Sequence, residues 1–201
     1  PEQFFGREVL LQWLLDLWTR LPLQPVAITG AKWTGKTSLL HYLNTVKFKE
    51  LSDYRIVLAE FQDILLHKRD GILRHLLNEL TIPLPQPLTL GNFIYAVGDN
   101  LQQPTIILLD DVDIALNASE LDQEFWNGLR SLTNHVRGGK LTFLLTCEDA
   151  PKYTAHSKGQ CSPFFNIFFQ TKTLTTFETQ EAEEFLTCYQ VMLKRLPKPV
   201  V

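Results

Sequence analysis

The sequence predicts an α/β fold with three layers, a parallel sheet held between helices. Three observations predict it. Strand-like apolar runs alternate with helix-like periodic segments along the chain. The strand-like runs are apolar throughout, as strands buried on both faces are. And Gly30-Ala31-Lys32-Trp33-Thr34-Gly35-Lys36-Thr37 fits G-x-x-x-x-G-K-S/T, a phosphate-binding loop, with a strand before it and a helix after it.

The elements follow in order. Residues 1–22 open with Phe4-Phe5-Gly6-Arg7-Glu8, and a helix follows in which Val9, Leu10, Trp13, Leu14, Leu17 and Trp18 recur at three- and four-residue spacing. Residues 25–29, Pro-Val-Ala-Ile-Thr, form the first strand. In the loop, Gly30 and Gly35 let the backbone bring its N–H groups close to phosphate oxygens. The helix from Lys36 adds its N-terminal partial positive charge. Lys36 is placed to reach the β- and γ-phosphates of a nucleotide, and the Thr37 hydroxyl to sit on Mg²⁺.

Residues 54–61 read as a second strand, and residues 70–80 as a helix. Pro83, Pro85 and Pro87 break the pattern, and Thr89 caps a helix to about Leu101. The run from Thr105 to Leu109 is a third strand ending in Asp110, Asp111 and Asp113. Its acids emerge at the C-terminal end, where open α/β sheets bind ligands. Asp110 and Asp111 are adjacent and point to opposite sides if both lie on the strand, so one cannot stand in for the other. Asp113 reads as a helix cap or a solvated acid. A long helix is expected over 119–137, with Leu121, Phe125, Leu129, Leu132 and Val136 inward and Gly138-Gly139 ending it. The next strand, 141–146, ends in Thr146, which either meets the γ-phosphate or bonds neighbouring backbone. Residues 148–162 read as a loop, 171–174 as a fifth strand and 178–186 as the start of a final helix.

Composition narrows the function classes. The 201 residues are 45% hydrophobic, enough for one core, and the net charge of −3 does not indicate nucleic acid. Cys147, Cys161 and Cys188 form no metal-ligating cluster, and their odd number suggests reduced thiols and a cytoplasmic setting. No apolar run approaches the ~20 residues of a membrane helix. No Asn/Thr-Lys-x-Asp guanine motif appears, which argues against a GTPase. The chain, running from Pro1 to Lys198-Pro199-Val200-Val201, reads as a fragment of a longer protein.

Together these residues resemble STAND-type NTPases, the NB-ARC and NACHT relatives of the AAA+ ATPases, prokaryotic members above all. Phe5-Gly6-Arg7-Glu8 is similar to the family's N-terminal h-G-R-E motif, and Gly30–Leu40 to its loop. Leu109-Asp110-Asp111 is similar to its Walker B strand, and Leu174–Leu186 to the junction before its helical lid. The resemblance implies a P-loop NTPase core with five parallel strands in the order 5-1-4-3-2. Its parts would be an N-terminal motif and helix (1–22), the core (23–177) and the start of the lid (178–201). It implies ATP or ADP with Mg²⁺, slow or partner-activated hydrolysis, winged-helix and effector regions beyond Val201, and nucleotide-dependent self-association. The implied nucleotide contacts are Phe5, Gly6, Arg7, Gly30, Ala31, Lys32, Trp33, Thr34, Gly35, Lys36, Thr37 and Ser38. Arg7 either holds the base or pairs with a helix acid. The implied catalytic set is Asp111, Lys36 and Thr146, with Thr37 and Asp110 on Mg²⁺. No arginine occurs from 138 to 194, which argues against a self-sufficient ring motor unless Lys152 or Lys158 substitutes. Two alternatives stay open: an AAA+ remodeller or initiator-type ATPase, and a scaffold that holds nucleotide without turnover.

Overall fold

In the computed structural model, residues 6–46, 48–176, 183, 185 and 186 are described. Val26–Thr29 (β1), Arg55–Glu60 (β2), Thr105–Asp110 (β3), Leu141–Cys147 (β4) and the polar Gln170–Thr173 (β5) are strands of one parallel sheet. Their spatial order is β2-β3-β4-β1-β5, which is the expected 5-1-4-3-2 read from the other edge. Every residue of β1, β3 and β4 is buried, as strands covered on both faces require.

Alternation along the strands divides the core in two. Ile106 and Leu108 of β3 face one side with Val26 and Ile28 of β1, against the helices Glu8–Trp18 (α1) and Lys36–Thr45 (α2). Ile107 and Leu109 face the other, with Ala27, Val57 and Phe143. That side is covered by Arg69–Glu79 (α3), Leu90–Asn100 (α4) and Gln123–His135 (α6). In α1 it is Leu14, Leu15 and Trp18 that are buried, whereas Val9 is 87% exposed on the first turn. Thr89 caps α4, accepting from the Asn92 N–H at 3.2 Å.

Three sequence expectations are corrected. The span 119–137 is not one helix: α6 begins only at Gln123, where Asp122 accepts from the Phe125 N–H at 3.0 Å. Its five expected inward residues are all buried. A four-residue helix, Val112–Ala115 (α5), also follows the acids directly. The span 148–162 is not all loop, because Pro151–Ser157 (α7) is helical. This polar segment has too little apolar periodicity to read as helix. Its signals were Pro151 at the first position and Gly159 just past the end at φ 75°. Finally, β3 stops at Asp110, and Asp111 lies off the strand in the left-handed region (φ 54°, ψ 51°), so strand alternation does not place it. The final helix expected over 178–186 lies largely outside the described residues.

The sheet aligns the functional ends. Thr29 of β1 sits beside Cys147 of β4, and Glu60 of β2 beside Asp110 of β3. The loop after β1 therefore opens at the same edge as the acids after β3. On its other side, the Leu174 N–H donates to the Thr29 carbonyl at 2.7 Å, and the Leu174 carbonyl crosses over Gly30. Gly30 holds φ 146°, and a Cβ there would lie 2.4 Å from that carbonyl oxygen. Gly30→Ala is therefore expected to destabilise the fold by roughly 1–3 kcal/mol, from strain and overpacking. A denaturation midpoint equal to the parent's would contradict this.

Candidate functional site

The loop from Gly30 to Thr37 has the backbone its sequence suggests. Gly35 is the left-handed N-cap of α2 at φ 92°, and Trp33 holds φ 68° with its side chain 100% exposed. The Thr34 hydroxyl braces the turn, donating to the Ala31 carbonyl at 2.9 Å. Lys36 is buried, and its ammonium donates to the carbonyls of Gly30 at 2.6 Å and Ala31 at 2.9 Å. An ammonium folded onto the loop's own carbonyls occupies the place where anionic oxygens would bind more strongly. Ala31 and Lys32 are exposed, and Lys32 lies 3.6 Å from Glu148 on the loop after β4.

The acids sit beside this loop. Asp110 is fully buried; its Oδ1 accepts from the Thr146 hydroxyl at 2.5 Å, and its Oδ2 accepts no bond within 3.5 Å, with the Thr37 hydroxyl near the carboxyl. Burial pushes the Asp110 carboxyl up from the ordinary range, against the Thr146 and Thr37 hydroxyls, which pull it down. A fully buried carboxylate with an unpaired oxygen is costly unless a ligand completes it. Thr146 is committed twice: its oxygen also accepts from the Asp111 N–H at 2.8 Å. Asp111 is held on its other side by Gln62, whose amide donates to Oδ2 at 2.8 Å. Asp113 is not the N-cap of α5, a place held by Asp111; it is a half-buried acid on the cleft. Its Oδ2 accepts from the Glu148 N–H at 2.9 Å, and burial pushes its carboxyl up.

The structure brings most of the expected residues together. Loop and α2 residues between Lys32 and Ser38, with Lys36 and Thr37 among them, line a cleft of about 1410 Å³ with Asp111. Gly6 and Arg7 lie on the other side of β1. Arg7, left-handed at φ 64°, donates from Nη2 to the Thr175 carbonyl at 2.6 Å, one residue beyond the Leu174 that crosses Gly30. Phe5 lies outside the described residues. Sequence reasoning missed Gln62 and Tyr153 as cleft residues, and named Lys158 only beside Lys152 as a stand-in for an absent arginine. Gln62 carried one signal, a polar residue two positions beyond a strand end at the acidic edge. Tyr153 carried none, and nothing separated Lys158 from Lys152, because α7 itself was not read.

The residues suit a magnesium ion. Among the described residues, no group of three or more His, Cys, Asp or Glu side chains forms a metal cage. Mg²⁺ is commonly held instead by one or two protein oxygens plus phosphates and water. The unpaired Asp110 Oδ2 beside Thr37 is a donor set of that kind.

The sequence matches no protein-family model and no curated protein. Among solved structures it is similar to the Aeropyrum pernix ORC2 protein in its ADPNP–ADP complexes, with a TM-score of 0.74 and 16% identity over 93% of this chain and 52% of that one. It is similar to Cdc6p from Pyrobaculum aerophilum at TM-score 0.68 and 18% identity, over 93% of this chain and 50% of that one. The replication initiator DnaA, bound to AMPPCP and single-stranded DNA, gives TM-score 0.59 and 16% identity over 98% and 55%. The chain spans about half the length of these structures. At such identities the likeness is one of fold, an α/β P-loop NTPase core, in which this chain's parallel sheet runs β2-β3-β4-β1-β5.

Proposed function

We propose that this chain is the ATP-binding domain of an AAA+ ATPase of the replication-initiator kind. The observation that carries the reading is the pairing of a buried, half-unpaired Asp110 with Lys36 and Thr37 at the start of α2. A triphosphate supplies what each lacks: anionic oxygens for Lys36 and a bound cation for Asp110. Initiators stand among the structural neighbours, which favours this kind over the STAND signalling type. The STAND reading keeps one specific support, the Phe5-Gly6-Arg7-Glu8 motif. For the whole protein, the initiator reading makes DNA a partner class that net charge alone did not indicate.

The residues divide the work. Backbone N–H groups of the loop and the α2 N-terminus bind the phosphates, with Ser38 in the helix's first turn. Lys36 exchanges the Gly30 and Ala31 carbonyls for phosphate oxygens. Thr37 and Asp110 would hold Mg²⁺, which when bound neutralises charge on the phosphates. Asp111 orients the attacking water and accepts its proton. Gln62 occupies one Asp111 oxygen, so it must let go before Asp111 is fully available, and hydrolysis is slow until something moves it. Thr146 positions both acids rather than the nucleotide. Arg7 sets the base side of the site through the segment after β5. The chain is then organised as an N-terminal motif and helix over 1–22, the NTPase core over 23–177 and the start of a lid over 178–201, in a cytoplasmic protein.

Asp110→Asn separates the two roles of that residue. Removing the buried charge is expected to stabilise the protein without nucleotide by about 1–2 kcal/mol, while the Mg²⁺ dependence of ATP affinity disappears. Thermal unfolding and calorimetric titration with and without Mg²⁺ read both. A variant whose ATP affinity still rises with Mg²⁺ as the parent's does removes Asp110 from the proposed site.

A further inference from the structure

We propose that Lys158 reads the third phosphate: its ammonium, on the wall of the cleft away from the loop, contacts the γ-phosphate and lets the site tell a triphosphate from a diphosphate. The proposal rests on the nucleotide reading above. It begins with the faces of α7. Tyr153, Thr154, Ser157 and Lys158 line the large cleft, and their spacing of one, four and five residues is one stripe of a helix. Lys152, Ala155 and His156 instead line a separate hollow of about 370 Å³, with Cys161 and Phe165. Of the two lysines that the sequence offers in place of an arginine, Lys158 alone lines the cleft that holds Lys36, Thr37 and Asp111.

The two aliphatic hydroxyls of that stripe are committed, and Tyr153 is exposed and carries no charge. The Thr154 hydroxyl donates to the Asp149 carbonyl at 3.3 Å, and the Ser157 hydroxyl to the Thr154 carbonyl at 2.8 Å. The other two lysines of the cleft are engaged as well, Lys36 by the loop carbonyls and Lys32 by Glu148 at 3.6 Å. Lys158 is exposed and forms no ion pair among the described residues. The same cleft carries Asp111, Asp113, Glu148 and Asp149, so an additional phosphate charge entering it meets four acids. A cation on the α7 wall offsets that repulsion. Interactions between exposed charges are screened within about 10 Å, so the offset is felt by a phosphate charge that reaches toward the α7 wall. As the residue capping the end of α7, Lys158 also complements the helix dipole. That second role favours the folded helix and is blind to how many phosphates are bound.

The affinity ratio separates the two roles. Calorimetric titrations with Mg²⁺ and either ADP or a non-hydrolysable ATP analogue compare the parent with Lys158→Met, Lys158→Arg and Lys152→Met. Lys158→Met is expected to lower the triphosphate-to-diphosphate affinity ratio about tenfold, the low end for a charge-assisted contact at an exposed site. Lys158→Arg should keep the ratio within about threefold, and Lys152→Met, which removes the same charge from the other face of α7, should leave it unchanged. A parental ratio in Lys158→Met, or an equal fall in Lys152→Met, overturns the proposal and leaves Lys158 a helix-end cation. A parent protein that binds neither nucleotide overturns the underlying site reading, and this one with it.

Discussion

Asp111→Asn is expected to bind ATP as the parent does and to hydrolyse it at least about 100-fold more slowly in a single turnover, the low end of the loss when a general base is removed. The substitution keeps the size of the side chain and its amide can still meet a neighbour. What it removes is the charge that attracts and accepts the proton. Asp111 suits the role because its backbone is fixed while its carboxylate is reachable. Its N–H is tied to Thr146 at 2.8 Å, and its side chain lines the cleft. Asp110 cannot replace it, being fully buried beneath Thr146. The left-handed backbone at Asp111 points the same way, since such strain persists where surrounding contacts over-determine it, often at functional sites. Rapid-quench hydrolysis under saturating ATP, beside a binding isotherm, is the measurement. A variant that hydrolyses ATP at the parental rate would falsify the assignment.

Lys36→Ala is expected to weaken nucleotide binding by about 1.5–3 kcal/mol, roughly tenfold or more in affinity. The lysine is largely buried in the protein without ligand, so much of the cost of taking its ammonium out of water is met before phosphate binds. Its bonds to Gly30 and Ala31 also hold the loop in shape, and Lys36→Ala should lower the melting temperature slightly as well. Lys36→Arg tests the geometry: a planar guanidinium does not fit between two carbonyls at 2.6 and 2.9 Å, and charge alone should not restore affinity. ATP affinity unchanged in Lys36→Ala, measured on protein verified as folded, would remove this lysine from the site.

What the sequence by itself determined was whatever rests on local pattern. Apolar or β-branched runs at Val26–Ile28, Ile106–Leu109 and Leu141–Leu145 placed three buried strands, because a strand covered on both faces shows no charged side. Gly30 and Gly35 at their spacing placed the phosphate loop, because the backbone there takes positive φ. The strand order came with the resemblance rather than from spacing, and the sheet has it. Tertiary structure alone decided the rest. Gln62 meets Asp111 across 49 residues, and Thr146 meets it across 35, so no local window holds either pair. Asp111 left its strand because the chain turns immediately into α5, a four-residue helix too short to leave a periodic trace. The α7 helix is polar on its outer face and buries little more than Pro151, Thr154 and Ala155, so its helical state is set by what it packs against. The wall opposite the loop, with Lys158 on it, exists only once that packing is made.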